Sequence, residues 1–170
     1  MMSKKMASAI NEQINAEFYS AFLYLSMATK LEDMTFSGFA KWMRVQYDEE
    51  VFHAMKFLDH MADRGERVVL KEITAPEIEW EGPHAIWEAA YEHEVKVTGM
   101  INDLMRIAVD EDDFASQQFL QWYVEEQVEE EDNTSTIRDK IAMVREMPGG
   151  LYMLDKELAA RTFTPPAEGA

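Results

Sequence analysis

The chain has 170 residues, long enough for one domain with a sizeable core, and its 16 basic against 33 acidic residues give a formal charge of −17. No basic patch stands out to meet phosphates, which argues against a nucleic-acid partner, and the absence of cysteine excludes disulfides, thiolate metal sites and cysteine nucleophiles. The N-terminus MMSKKMASAI lacks the apolar core of a signal peptide, and the longest uncharged apolar-rich run, residues 18–29, is far short of a membrane span, so the expectation is a cytoplasmic protein with no membrane partner.

Glycine and proline are scarce and cluster at Gly65, Pro76, Gly82-Pro83, Pro148-Gly149-Gly150 and Pro165-Pro166. The segments between them are rich in Glu, Ala, Met, Leu and Lys, which favour helix. A first helix is expected over residues 5–33. The second covers 36–64, with Thr35 as its N-cap and Gly65 as its stop. The third starts near Pro83, a good first-turn residue, and ends in the acidic turn Asp110-Glu111-Asp112-Asp113. The fourth runs from 114 to 147 and stops at Pro148. A short fifth helix over 151–161 places Leu151, Leu154 and Leu158 on one face, and the tail 162–170 is expected to be flexible.

The connections set the topology. The first–second and third–fourth links are very short, so those pairs are antiparallel hairpins. The second–third link spans residues 65–82. A helix of ~28 residues is roughly 42 Å long, and a link of that size reaches about 60 Å when extended. It can therefore run the length of the bundle and leave the second and third helices parallel, with Val68-Val69-Leu70 packing as a short extended piece. The expected fold is all-α: a single domain over 1–170, a four-helix bundle with a long crossover and a short fifth C-terminal helix.

Each helix carries the alternating three–four apolar spacing of a bundle seam. The stripes read Ile10, Ile14, Glu17, Ala21, Tyr24, Ala28, Leu31; then Phe36, Phe39, Met43, Gln46, Glu50, His53, Phe57, Met61; then Ile86, Ala90, Glu94, Val97, Ile101, Leu104, Ala108; then Leu120, Tyr123, Gln127, Glu130, Thr134, Ile137, Ile141, Val144. Every stripe is interrupted by an acid near its middle. Helices of similar length packed side by side hold their middles at one level, so Glu17, Glu50, His53, Glu94, Gln127 and Glu130 should meet in one layer. Glu50 with His53, and Gln127 with Glu130, are three apart and share a face.

Each uncompensated buried charge costs on the order of several kcal/mol, against a total stability of roughly 5–15 kcal/mol. No lysine or arginine lies on these stripes. Four negative charges do balance two divalent cations, and a metal pair between the helices makes the burial tolerable. The donors are oxygen-rich, with one imidazole and no sulfur, which favours Fe(II) or Mn(II) with open positions. Glu50 is the natural bridge. His53 completes one position with Glu17, and the second leans on Glu94 and Glu130 with Gln127 close by. Ferritin-like di-iron bundles use two single glutamates and two Glu-x-x-His pairs; here the fourth helix carries Gln127-x-x-Glu130 and no second histidine.

Over nearly its whole length the chain resembles the bacterial non-haem ferritins. The likeness rests on INAEFYSAFLYLSMA with Glu17 and Tyr24, YDEEVFHAMKF with Glu49, Glu50 and His53, EHEVKVT with Glu94, and WYVEEQVEEE with Trp122, Glu126, Gln127, Glu129 and Glu130. The missing second histidine sets it apart from bacterioferritins and rubrerythrins. Bacterioferritins hold haem with a second-helix methionine; the corresponding region here reads Glu50-Val51-Phe52, which implies no haem, and nearby Met55 is expected to pack.

The resemblance implies a hollow cage of two dozen copies. Its subunits oxidise Fe(II) with O2 or H2O2 at a di-iron centre and store the ferric mineral. It also implies a third iron position at Glu49, Glu126 and Glu129 with Glu130, and a ligand hydrogen bond or electron donation from Tyr24. Trp122 is a further candidate donor. His60, His84 and His93 have no convergent partners and are expected at the surface or in caps. The acidic turn 110–113 is a candidate lining for an iron entry pore, and the fifth helix is expected to meet its copies around a symmetry axis, being too short to stand alone. Two rival functions remain at this point: a non-catalytic acidic metal buffer, and a di-iron peroxidase of the rubrerythrin type.

Overall fold

Five helices follow one another in the computed structural model, which describes residues 2–165: α1 (Lys4–Asp33), α2 (Ser37–Asp63), α3 (Pro83–Asp110), α4 (Phe114–Val144) and α5 (Pro148–Leu158). Among the described residues there is no strand, and no helix is long and apolar enough to cross a membrane. The expected looseness of residues 166–170 lies outside the described residues.

Three helices end in the same way. Thr35, Gly65 and Asp112 adopt φ values of 68°, 75° and 52°, the left-handed region. At each, the residue's own N–H and the next one return to carbonyls of the last turn: Thr35 to Glu32 and Phe36 to Leu31, both at 2.9 Å, and Gly65 to Ala62 and Glu66 to Met61, also at 2.9 Å. Asp112 bonds Val109 at 3.2 Å and Asp113 bonds Ala108 at 2.9 Å. This double return satisfies carbonyls that a helix end leaves free. Gly65 is thus the stop that the sequence suggests. Thr35 is not the N-cap of α2; it closes α1, and Phe36 takes the cap position without a side-chain bond.

The cap of α2 comes from α5. Asp155 Oδ1 accepts from the backbone N–H groups of Gly38 at 2.8 Å and Phe39 at 2.9 Å. A Cβ on Gly38 would lie 1.7 Å from the Asp155 carbonyl oxygen, so only glycine lets α5 come this close. Leu154 and Leu158 bury in the adjoining core and Leu151 packs against it. The helix begins at Pro148 rather than 151 because proline suits a first turn, and α4 correspondingly stops at Val144.

The core has two apolar clusters. One joins Leu23 to Leu31 of α1 with Phe39 and Met43 of α2, Ile86 to Ala90 of α3, Ile137 and Ile141 of α4, and α5. The other joins Met6 to Ile14 of α1 with Phe57 and Met61 of α2, Val97 to Ala108 of α3, and Leu120 and Tyr123 of α4. The N-terminal halves of α2 and α3 share one cluster and their C-terminal halves the other, so these two helices run parallel. The crossover spans that distance as an extended segment. Val68 packs on the core, and Asn11 exchanges two side-chain hydrogen bonds with the Val69 backbone, at 2.8 and 2.7 Å. Val69 and Leu70 stay exposed.

Candidate metal centre

The polar interruptions of the four stripes lie between these two clusters. Glu17, Glu50, His53, Glu94, Gln127 and Glu130 are each no more than 4% exposed, and no lysine or arginine is buried among the described residues. Glu17, Glu50 and His53 offer one ligand atom apiece within 4.8 Å of one another, and so do His53, Glu126 and Glu130. His53 belongs to both groups: Nδ1 lies 3.5 Å from Glu50 Oε2, and Nε2 lies 3.9 Å from Glu126 Oε1.

Neutral donors steady the acids. Gln46, fully buried, donates through one nitrogen to Glu50 at 3.1 Å and Glu130 at 2.9 Å. Gln13 donates to Glu17 at 2.8 Å. The Tyr24 hydroxyl makes a short bond to Glu94 Oε1, and Gln127 Nε2 reaches Glu94 Oε2 at 3.2 Å. Tyr123 donates to the His53 carbonyl at 2.8 Å, which pins that turn of α2.

Burial and like charge push these carboxyls far from their usual range. Glu17 rises from 4.5 to about 8, first by loss of water and then by the charge of Glu50, with His53 and the Gln13 bond opposing. Glu130 rises to about 8 through burial and then Glu94. Glu50 and Glu94 are raised well above 4.5, again by burial first. A metal-free centre therefore holds protons at neutral pH. Its donor set, carboxylate oxygens with one imidazole, fits hard or borderline divalent cations.

The expected residues do not all gather. Glu94 faces Tyr24 and Gln127 and stands outside both ligand groups. Of the third position, Glu126 and Glu130 meet at His53, while Glu129 is exposed and Glu49 is held by Arg161 in a short ion pair. Trp122 meets the His53 ring edge-on at 5.4 Å. Met55, expected to pack, is exposed. His93 is half-buried: it bonds Ser20 Oγ at 2.7 Å, packs on Tyr19 and Tyr24, and is pulled to about 4 by burial and then by Lys96. His60 stacks on Phe119 at 3.9 Å, and His84 is half-buried. In the acidic turn, Asp113 caps α4 through Ser116 at 3.1 Å and pairs with Arg64 at 3.0 Å, and Glu111 accepts from Ser3.

Gln46, Gln13 and Tyr123 were not marked as site residues by the sequence. Gln46 gave a signal, a second polar side chain on a core stripe one turn before Glu50. Gln13 gave none, because it lies one position off its stripe.

A four-helix bundle with a long crossover and a buried cluster of carboxylates around one histidine defines a class of helical proteins built to hold divalent metal. The ferritin-like domain family matches residues 7–144. A non-heme ferritin of Bacteroides fragilis is 41% identical over 161 residues, covering 95% of this chain and all of its own. A probable non-heme ferritin-like protein of Haemophilus influenzae is 39% identical over 158 residues, covering 93% of this chain and 96% of its own. Among solved structures, an Archaeoglobus fulgidus ferritin engineered into a closed form is 50% identical with a TM-score of 0.95, covering 96% of this chain and 100% of its own. The open-pore ferritin of the same archaeon is 49% identical with a TM-score of 0.94, covering 95% and 100%. The chain belongs to the ferritin family.

Proposed function

We propose that this chain is an iron-storage ferritin with ferroxidase activity, and that its copies enclose a hollow shell in which ferric product is kept. The observation that carries the reading is the polar layer: Glu17, Glu50, Glu94 and Glu130 are buried along with His53, and among the described residues no lysine or arginine is buried to neutralise them. Such burial is unfavourable without cations and favourable with them.

Fe(II) is the substrate. Glu17, Glu50 and His53 form one binding position, and Glu130, with Glu94 and Gln127, the other. Glu50 lies between His53 and the Gln46 bridge to Glu130, which suits it to face both. Iron gives electrons to O2 or H2O2 in this pocket. The protein's contribution is to hold two ions side by side without water and to release carboxyl protons as they bind. Tyr24 fixes the Glu94 carboxylate by donating to it, and Tyr123 fixes the backbone of His53. Glu49, Glu126 and Glu129 provide a third position, from which iron passes between centre and store.

The second position has no histidine, so it binds metal more weakly than the first. That looseness lets oxidised iron leave. Anaerobic Fe(II) titration should resolve unequal affinities; two equally tight, non-exchanging ions per subunit would remove this part of the reading. For the function as a whole, Fe(II) is added in air to the assembled protein. Rapid amber colour that stays soluble, lost in His53→Ala, is expected. A rate equal to that of protein-free buffer would return the protein to the metal-buffer class.

A further inference from the structure

Beyond α5 the chain turns back along α2. Lys41 Nζ donates to the Ala159 carbonyl at 2.6 Å. Arg161 lies with Cζ 3.9 Å over the Trp42 ring, reaches the Trp42 carbonyl through Nη1 at 3.4 Å, and donates through Nη2 to Glu49 Oε2 in a short ion pair. Phe163 packs on Phe52 at 5.8 Å, and Phe52 in turn meets Trp122 at 6.0 Å and His53 at 6.2 Å. Residues 159–163 thus form a strap with three anchors, laid over α2 beside the cluster of His53, Glu126 and Glu130. Of the tail expected to be flexible, residues 162–170, Phe163 is the residue that makes this contact.

The middle anchor is the informative one. The side chains of Arg161 and Glu49 are only 17% and 14% exposed, so their pairing is sheltered from water and salt. Among the described residues, Glu49 is the one acid of the third position with an arginine or lysine partner; Glu126, Glu129 and Glu130 have none within ion-pair distance. A guanidinium fork and a metal ion compete for the same carboxylate oxygens and the same negative charge.

We infer that Arg161 is a built-in competitor for Glu49: it occupies the carboxylate in the metal-free protein, and a metal ion takes the third position only by displacing it. The inference rests on the metal-centre reading above and adds a regulation of it. Arg161 keeps the third position weak and reversible, so an ion that arrives there is readily passed on. Filling the position frees the strap at its central anchor.

The test is calorimetric titration of the metal-stripped, assembled protein with Zn(II), which binds without redox chemistry. Wild type should take two ions at the paired positions, the second less tightly than the first, and a third more weakly than either. In Arg161→Gln the third should bind about tenfold more tightly, the scale of one charge-assisted bond, with the first two unchanged. Arg161→Lys, which keeps the charge but not the fork, should fall between and serves if the glutamine variant assembles poorly. Glu49→Gln should abolish the third event, and the double variant should match it. A third event unchanged or weaker in Arg161→Gln overturns the inference, as does an equal gain in the Glu49→Gln background. Failure of the first two events in wild type would instead sink the metal-centre reading, and the inference with it.

Discussion

At the scale of single residues, four glutamates are kept in a place where water cannot reach them, and their protons record the strain. Glu17 and Glu130 titrate near 8 in the folded, metal-free chain against 4.5 in an exposed chain. Between those values the folded state binds protons that the unfolded state has lost. The stabilisation from these groups is fully present below pH 4.5 and is lost as pH rises through 8. Urea melts of the metal-free protein should therefore show stability falling across this window. Glu17→Gln should flatten the fall and raise stability at pH 9 by about 1–4 kcal/mol, while weakening metal binding. A variant as pH-sensitive as the parent would show that Glu17 is not held protonated. Metal entry must expel the same protons, so Zn(II) affinity should rise from pH 6 to 8. The calorimetric heat at pH 7 should differ between buffers of unlike ionisation enthalpy.

At the scale of elements, the helix ends carry information the apolar stripes do not. Thr35 holds a β-branched side chain in the left-handed region, which costs about 1–2 kcal/mol, where α2 uses Gly65 for the same turn. Thr35→Gly should raise the denaturation midpoint by the equivalent of about 1 kcal/mol, and Gly65→Ala should lower it by a similar amount. The junction of α2 and α5 is stricter. Asp155→Ala removes the two bonds that cap α2 and should cost about 1–2 kcal/mol. Gly38→Ala drives a methyl into the Asp155 backbone and should cost more, loosening α5 and with it the strap that follows. Hydrogen exchange would localise that loosening to residues 148–163; protection unchanged there would show that the two helices are not coupled through this contact.

At the scale of the whole molecule, the surface is strongly acidic but not uniformly polar. Phe22 on α1 and Val69, Leu70 and Ile78 on the crossover are exposed, and so are Met143, Met147, Tyr152 and Met153 around the α4–α5 turn. Two apolar areas on a chain of formal charge −17 are expected to be covered by other copies in the proposed shell. Leu70→Glu places one more like charge in such a contact. If the proposed shell forms through this contact, light scattering should show a smaller particle than that of the parent. The tight Zn(II) binding of each subunit, built entirely within one chain, should persist. A full-sized particle carrying this substitution would show that the crossover does not face another copy.

The apolar periods, the short and long links and the mid-helix acids were enough to read the bundle, its parallel second and third helices and the level at which Glu17, Glu50, His53, Glu94 and Glu130 sit. These are local properties: a 3.6-residue repeat and a chain's reach depend on nothing outside the segment. Which oxygen faces which partner was beyond that reading. That Gln46 bridges to Glu130, that Glu94 turns to Tyr24, that Asp155 rather than Thr35 caps α2 and that Arg161 holds Glu49 all join residues 70 to 117 positions apart. Only the packed structure decides such pairs, because hydrogen bonds and ion pairs depend on distances of a few tenths of an ångström that sequence spacing cannot encode.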